Sequence, residues 1–90
     1  MLLAWMPKAM TDREAIMAYI ARDNPAAAMA LDDEFEARAE RARLHPTIYK
    51  QGRVRGTREI VVRPNFVMIY RIGDDAVIIL RVLHTALSWP

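Results

Sequence analysis

TREIVVRPNFVMIYRIGDDAVIILRVLH, residues 57–84, decides the fold of this chain. Three runs rich in β-branched and aromatic residues, Thr57 to Arg63, Phe66 to Ile72 and Ala76 to Leu83, are separated by the turn signals Pro64-Asn65 and Gly73-Asp74-Asp75. Such spacing predicts a three-stranded antiparallel meander. The third run is apolar on both faces, which places it centrally, with something covering each side. If Pro64 and Asn65 form a two-residue hairpin, position 58 pairs with 71. A three-residue loop at 73–75 then pairs 67 with 81. That register sets Arg58, Arg71 and Arg81 on one face and Val61, Phe66, Met68, Tyr70, Ile78, Leu80 and Val82 on the other, the seat for helices. On the same pairing Glu59 lies across from Tyr70. The arginines are either ordinary solvent-facing positions, paired with Asp74, Asp75 and Glu59, or a cation cluster open to a ligand.

Upstream of the meander the period changes. Thr11-Asp12-Arg13-Glu14 spells a capping box, which predicts a helix starting there with Ile16, Tyr19 and Ile20 as its apolar stripe. Asp23-Asn24-Pro25 stops that helix and restarts a second, Asn24 as cap and Pro25 in the first helical position. Ala27, Ala28, Leu31, Phe35, Ala39 and Ala42 recur at helical spacing to about Leu44, and the alanines permit close packing. His45-Pro46 ends the helix, and Pro46 through Gly56 is a loop long enough to be functional. Leu2 to Trp5 reads as an edge strand ended by Pro7. The expectation is one α+β domain over 1–90, in βααβββ order, a helix hairpin packed on a small antiparallel sheet.

Charge is polarised along the chain. Residues 41–71 hold eight of the thirteen bases and one acid, Glu59, for +7, whereas 1–40 carry −4 and 72–90 carry −1. A polyanion should therefore meet one side only, and nucleic acid is the first suspect. The chain has no cysteine, so thiolate chemistry and Cys-based metal sites are excluded, and the lack suits a reducing cytoplasm. Met1 to Met6 is far too short for a membrane span, so a soluble, cytoplasmic protein is expected. A hydrophobic content of 53% with six methionines is high for so small a domain and predicts a partner that covers apolar surface. No glycine-rich phosphate loop, nucleophile elbow or stacking aromatic series is present, and His45 has no carboxylates at ligand spacing, so neither a cofactor nor a metal is expected.

The order of strand, helix hairpin and meander, with Trp5, Asp23-Asn24-Pro25, Gly56-Thr57-Arg58-Glu59, Ile69-Tyr70-Arg71 and Arg81-Val82-Leu83-His84, resembles the RelE/ParE toxin superfamily over nearly the whole chain. Leu83-His84-Thr85-Ala86 followed by Trp89-Pro90 is similar to the RelE/StbE-like plasmid-stabilisation toxins. The resemblance implies the toxic half of a type II toxin–antitoxin system, silenced by a cognate antitoxin in a hetero-oligomer. Met6, Met10 and Met29 would line the antitoxin groove, thioethers being adaptable, with Met17 in the core.

The superfamily divides in mechanism. Members of the RelE and YoeB types cut messenger RNA on the ribosome; members of the ParE type bind and poison DNA gyrase. The expectation preferred from the sequence is a metal-independent mRNA interferase, an endoribonuclease that inhibits translation. His84 would be its general acid, Arg81, Arg71 and Arg58 would hold the phosphate, and Lys50, Arg53 and Arg55 would contact RNA. The alternative is a non-enzymatic gyrase poison. Two departures favour that alternative: Val67-Met68-Ile69-Tyr70 lacks the nuclease arginine of that strand, and the loop before it has no glutamate base. His84 would then merely cap the sheet end.

Overall fold

The computed structural model describes residues 1–90. Strand β1 (Leu2–Trp5) leads into helix α1 (Pro7–Ala21), followed by α2 (Pro25–Leu44), β2 (Lys50–Gln51), β3 (Arg58–Val62), β4 (Phe66–Ile72) and β5 (Ala76–His84). The sheet order is β1-β5-β4-β3-β2. The α+β class, the helix hairpin and the meander are as the sequence predicts. The sheet, however, is mixed: β1 runs parallel to β5, Leu2 beside Ala76 and Trp5 beside Ile79. A two-residue strand, β2, also forms inside the expected loop and pairs with Arg58 and Glu59.

Asn24 caps α2 by accepting from the Ala27 amide at 3.1 Å, and Pro25 stands in the first turn, so that signal reads correctly. The capping box at Thr11 does not start α1. Pro7, whose φ is already helical and whose missing N–H costs nothing there, begins the helix four residues earlier. The Thr11 hydroxyl instead donates to the Pro7 carbonyl inside the helix.

Two turns set a register different from the expected one. Arg63, Pro64 and Asn65 form a three-residue connection, with Arg63 at φ 54° and Val62 opposite Phe66. Arg58 therefore faces Tyr70 and not Arg71, and Glu59 faces Ile69. The residue before a proline is disfavoured in the right-handed helical region. Arg63 takes the left-handed one, and its guanidinium donates to Glu34 of α2 at 2.8 Å. Between β4 and β5, Ile72 pairs with Val77, and a bulge at Ile69/Tyr70 lets Arg81 face Ile69 while Ile79 faces Tyr70. One extra residue on β5, Leu80, shifts the alternation beyond it.

The consequence is a clear division of faces. Ala9, Leu31, Phe35, Ala39 and Ala42 of the helices pack with Ile60, Val62, Met68, Tyr70, Val77, Ile79 and Val82 of the sheet. Val61, expected on that inner face, is 47% exposed on the other, and Leu80 packs with the outer group Val67, Ile69 and Leu83, beneath Trp89. Arg13, buried in α1, bonds Asp32 and Glu36 of α2 and stacks 4.4 Å from the Trp5 ring, which ties the hairpin to β1. Burial works to lower its guanidinium pKa, but the hydrogen bonds to Asp32 and Glu36 and their charges together outweigh it and raise the pKa. No helix is long and apolar enough to cross a membrane.

Candidate functional site

The four side chains expected to form a phosphodiester site do not come together. His84 ends β5 opposite Phe66, with its ring edge-on to that phenyl at 5.6 Å. Its Nδ1 accepts from the Ala86 amide at 3.1 Å, so the imidazole caps the chain where it leaves the sheet. Arg58 lies opposite Tyr70, four residues along β4 from Phe66 and two strands from β5. That separation is about 13 Å along the strands and about 10 Å across them. Arg71 lies one residue farther, exposed, on the pleat opposite to Tyr70.

Arg81 is engaged elsewhere. Its Nε and Nη2 donate to the two Asp12 oxygens at 2.7 and 3.0 Å, and these hydrogen bonds to Asp12 raise its pKa. The same carboxylate accepts from the Val82 amide at 2.9 Å, so Asp12 closes the edge of β5 just past the end of β1. The expected single face carrying Arg58, Arg71 and Arg81 is thus corrected by the two turn registers and the bulge. Arg58 shares the alternation of Ile60 and Val62, Arg71 lies on the outer pleat, and Arg81 lies at an edge.

The basic loop divides as well. Glu59 is buried and accepts from the Arg53 amide at 3.0 Å and from its Nε at 3.1 Å. Burial would raise the Glu59 pKa, but those bonds and the charges of Arg53 and Lys50 outweigh it and hold the carboxyl below its ordinary range. Gly52 is required for the approach: a Cβ there would sit 2.3 Å from the Thr57 hydroxyl. Arg53 is therefore a structural ion-pair partner, whereas Lys50, across from Glu59, and Arg55 are exposed and form no ion pair. Arg58 donates through Nη1 to the carbonyls of Tyr49 (2.7 Å) and Thr47 (3.4 Å). Tyr70 donates to the Pro46 carbonyl at 2.6 Å and fixes the same segment from below.

Met6, Met10 and Met29 are 44%, 39% and 70% exposed. Met29 borders a depression with Met17, Ala21 and Ala28, and Met10 borders a second that shares Met17 and Asp32 with the first; Met6 lies apart, at the start of α1. A larger open pocket of about 490 Å³ was not anticipated. Ile16, Tyr19 and Ile20 of α1 line it with Phe66, Arg63 and His84 at the far end of the sheet. The apolar stripe Ile16-Tyr19-Ile20 was the available signal, and Tyr19 in it is 69% exposed. No group of three or more His, Asp or Glu side chains is placed to hold a metal ion.

Comparison with known proteins adds three findings. Residues 3–89 match the family described as ParE toxin of type II toxin-antitoxin system, parDE. A candidate toxin, Y4kP, of Sinorhizobium fredii (strain NBRC 101917 / NGR234) is 32% identical over 89 residues, 98% of this chain and 92% of that one. Among solved structures, the chromosomal ParDE TA system from P. aeruginosa superposes with a TM-score of 0.81 at 22% identity, over 93% of this chain and 95% of the other. The conserved hypothetical protein HP0894 from Helicobacter pylori gives 0.59 at 17% identity over 94% of each chain. A YafQ variant from E. coli gives 0.54 at 16% identity, over 93% of this chain and 92% of that one.

Proposed function

This chain belongs to the ParE toxin family of type II toxin–antitoxin systems, and we propose that it arrests growth by binding DNA gyrase, without cutting nucleic acid, until a cognate antitoxin covers it. The observation that carries this reading is the dispersal of His84, Arg58, Arg71 and Arg81. Cleavage of a phosphodiester needs an acid, a base and cations within hydrogen-bond reach of one phosphate. Here the imidazole stands at the opposite end of the sheet from Arg58 and Arg71, and Arg81 is held by Asp12. The mRNA-cleavage expectation has no such cluster to draw on, and Glu59, the acid nearest Arg58, is locked by Arg53.

The antitoxin would lie along the helix hairpin, where Met29 borders a mainly apolar depression and Met10 a second one shared with the charged Arg13, Glu14 and Asp32. Met29→Glu should then weaken neutralisation at least tenfold while the toxin stays toxic.

The test of mechanism is supercoiling by purified gyrase, alongside a pulse of the toxin in cells. Inhibited supercoiling, early loss of DNA synthesis and intact transcripts are expected, and His84→Ala should retain them. New messenger RNA 5′ ends and early loss of translation, both abolished by His84→Ala, would replace this reading with the nuclease one.

A further inference from the structure

Six of the thirteen cations, Arg13, Arg38, Arg43, Arg53, Arg63 and Arg81, have a carboxylate within ion-pair range. The uncommitted remainder is unevenly placed. Lys50, Arg55 and Arg58 stand at the end of the sheet where β2 passes into β3, with Arg71 beside them at the end of β4. Arg58 is the centre of this group. Its Nη1 is anchored on two neutral carbonyls, which fix its position without cancelling its charge, and its Nε and Nη2 edge makes no hydrogen bond. A fork already fixed in place loses less freedom on meeting a phosphate. Arg58 also lines a depression of about 210 Å³ with Gln51, Gly56, Thr57 and Ile72. Gly56, at φ 83°, leaves the space above it open.

We propose that this end of the sheet grips the phosphodiester backbone of duplex DNA. Arg58 seats one phosphate in the depression, and Lys50 and Arg55 meet its neighbours along the strand. The grip reads no sequence, because cations without base-edge partners recognise charge alone. Exposed Asp74 and Asp75 in the adjoining β4–β5 turn bound the footprint on the β5 side. Residues 1–40 carry a net −4, so the charge that attracts a polyanion is confined to the later part of the chain. The inference deepens the gyrase reading, since an enzyme that holds DNA would offer the toxin both a protein surface and a phosphate track.

The experiment is fluorescence anisotropy of the full chain with a labelled random duplex of about 20 base pairs, titrated between about 50 and 200 mM salt. Affinity of about 10⁻⁶ to 10⁻⁴ M is expected, with a slope of log K on log salt near −2.7 for about three phosphate contacts. Lys50→Glu with Arg55→Glu should cut affinity at least tenfold at low salt, and Arg58→Lys severalfold. Arg41→Glu, an exposed cation on α2 outside this group, should leave it unchanged. Arg55→Glu alone repeats the test with a side chain that makes no bond within the protein. A flat salt response, wild-type binding by the reversed variants, or a tenfold preference for single-stranded RNA would overturn the proposal. Gyrase inhibition is read separately. DNA binding with unaffected gyrase would keep this surface and remove the target, whereas inhibition without DNA binding would do the reverse.

Discussion

The two faces of the sheet are built from the same kinds of residue but closed by different means. The inner face meets two helices, and twelve side chains there, from Ala9 to Val82, are shut from water. The outer face has a buried apolar group of only three, Val67, Ile69 and Leu83, packed against Trp89 and flanked by the Arg53–Glu59 pair. One side is closed by elements that are themselves anchored, the other by a loop and a tail. The difference teaches that burial alone does not measure contribution: what matters is how far the cover can relax when a side chain is removed.

Phe35→Ala attacks the inner face at its centre, where Phe35 meets Phe66 edge-on at 5.8 Å. It should cost about 4 kcal/mol in denaturant unfolding, because the two helices anchored on this face cannot collapse into the space. Ile69→Ala, equally buried but under the tail, should cost about 2 kcal/mol, since the tail can settle toward the gap. Equal costs for these two variants would erase the distinction between the faces.

Glu59→Gln tests the ion pair at the outer rim. A loss of about 1 kcal/mol at neutral pH is expected, because the half-exposed Arg53 regains water when its partner is gone. The Glu59 pKa is depressed in the folded state, so its contribution is complete above the ordinary carboxylate range near about 4.3. It is lost as pH falls through the lower, folded value. Acid unfolding of the variant should accordingly be shallower below that range, and an unchanged acid limb would remove Glu59 from the account. Trp89→Phe is the smallest change: it deletes an indole N–H that is buried without a partner. Stability should shift by less than about 1 kcal/mol and toward the variant, whereas a clear loss would mean that the indole itself anchors the tail.

Much of the fold was legible because local chemistry and tertiary packing agreed. The Asn24-Pro25 restart and the alanine periodicity of α2 needed no information from elsewhere, and Pro64-Asn65 and Gly73-Asp74-Asp75 divided the meander into its strands. The candidate site was far less legible, because it depended on register. One left-handed residue at Arg63 and one bulge at Leu80 moved the arginines to three different surroundings, and neither leaves a mark in composition. Thr11 misled for a related reason: a good local cap lost to a proline that β1 had already brought to the helix start. Charge could be counted from the sequence, but its cancellation could not, since Arg81 and Asp12 lie 69 residues apart.

That distance also orders the assembly of the molecule. β1 and Asp12 both complete themselves on β5, so the first residues made find their partners only after the last strand has emerged. Contacts of such long sequence separation slow folding, and a chain that has not yet emerged through β5 lacks them. The finished molecule therefore forms only once β5 is available. Until β5 is in place, β1 has no neighbour to run beside and Asp12 has no strand edge to close, so one element completes both at once.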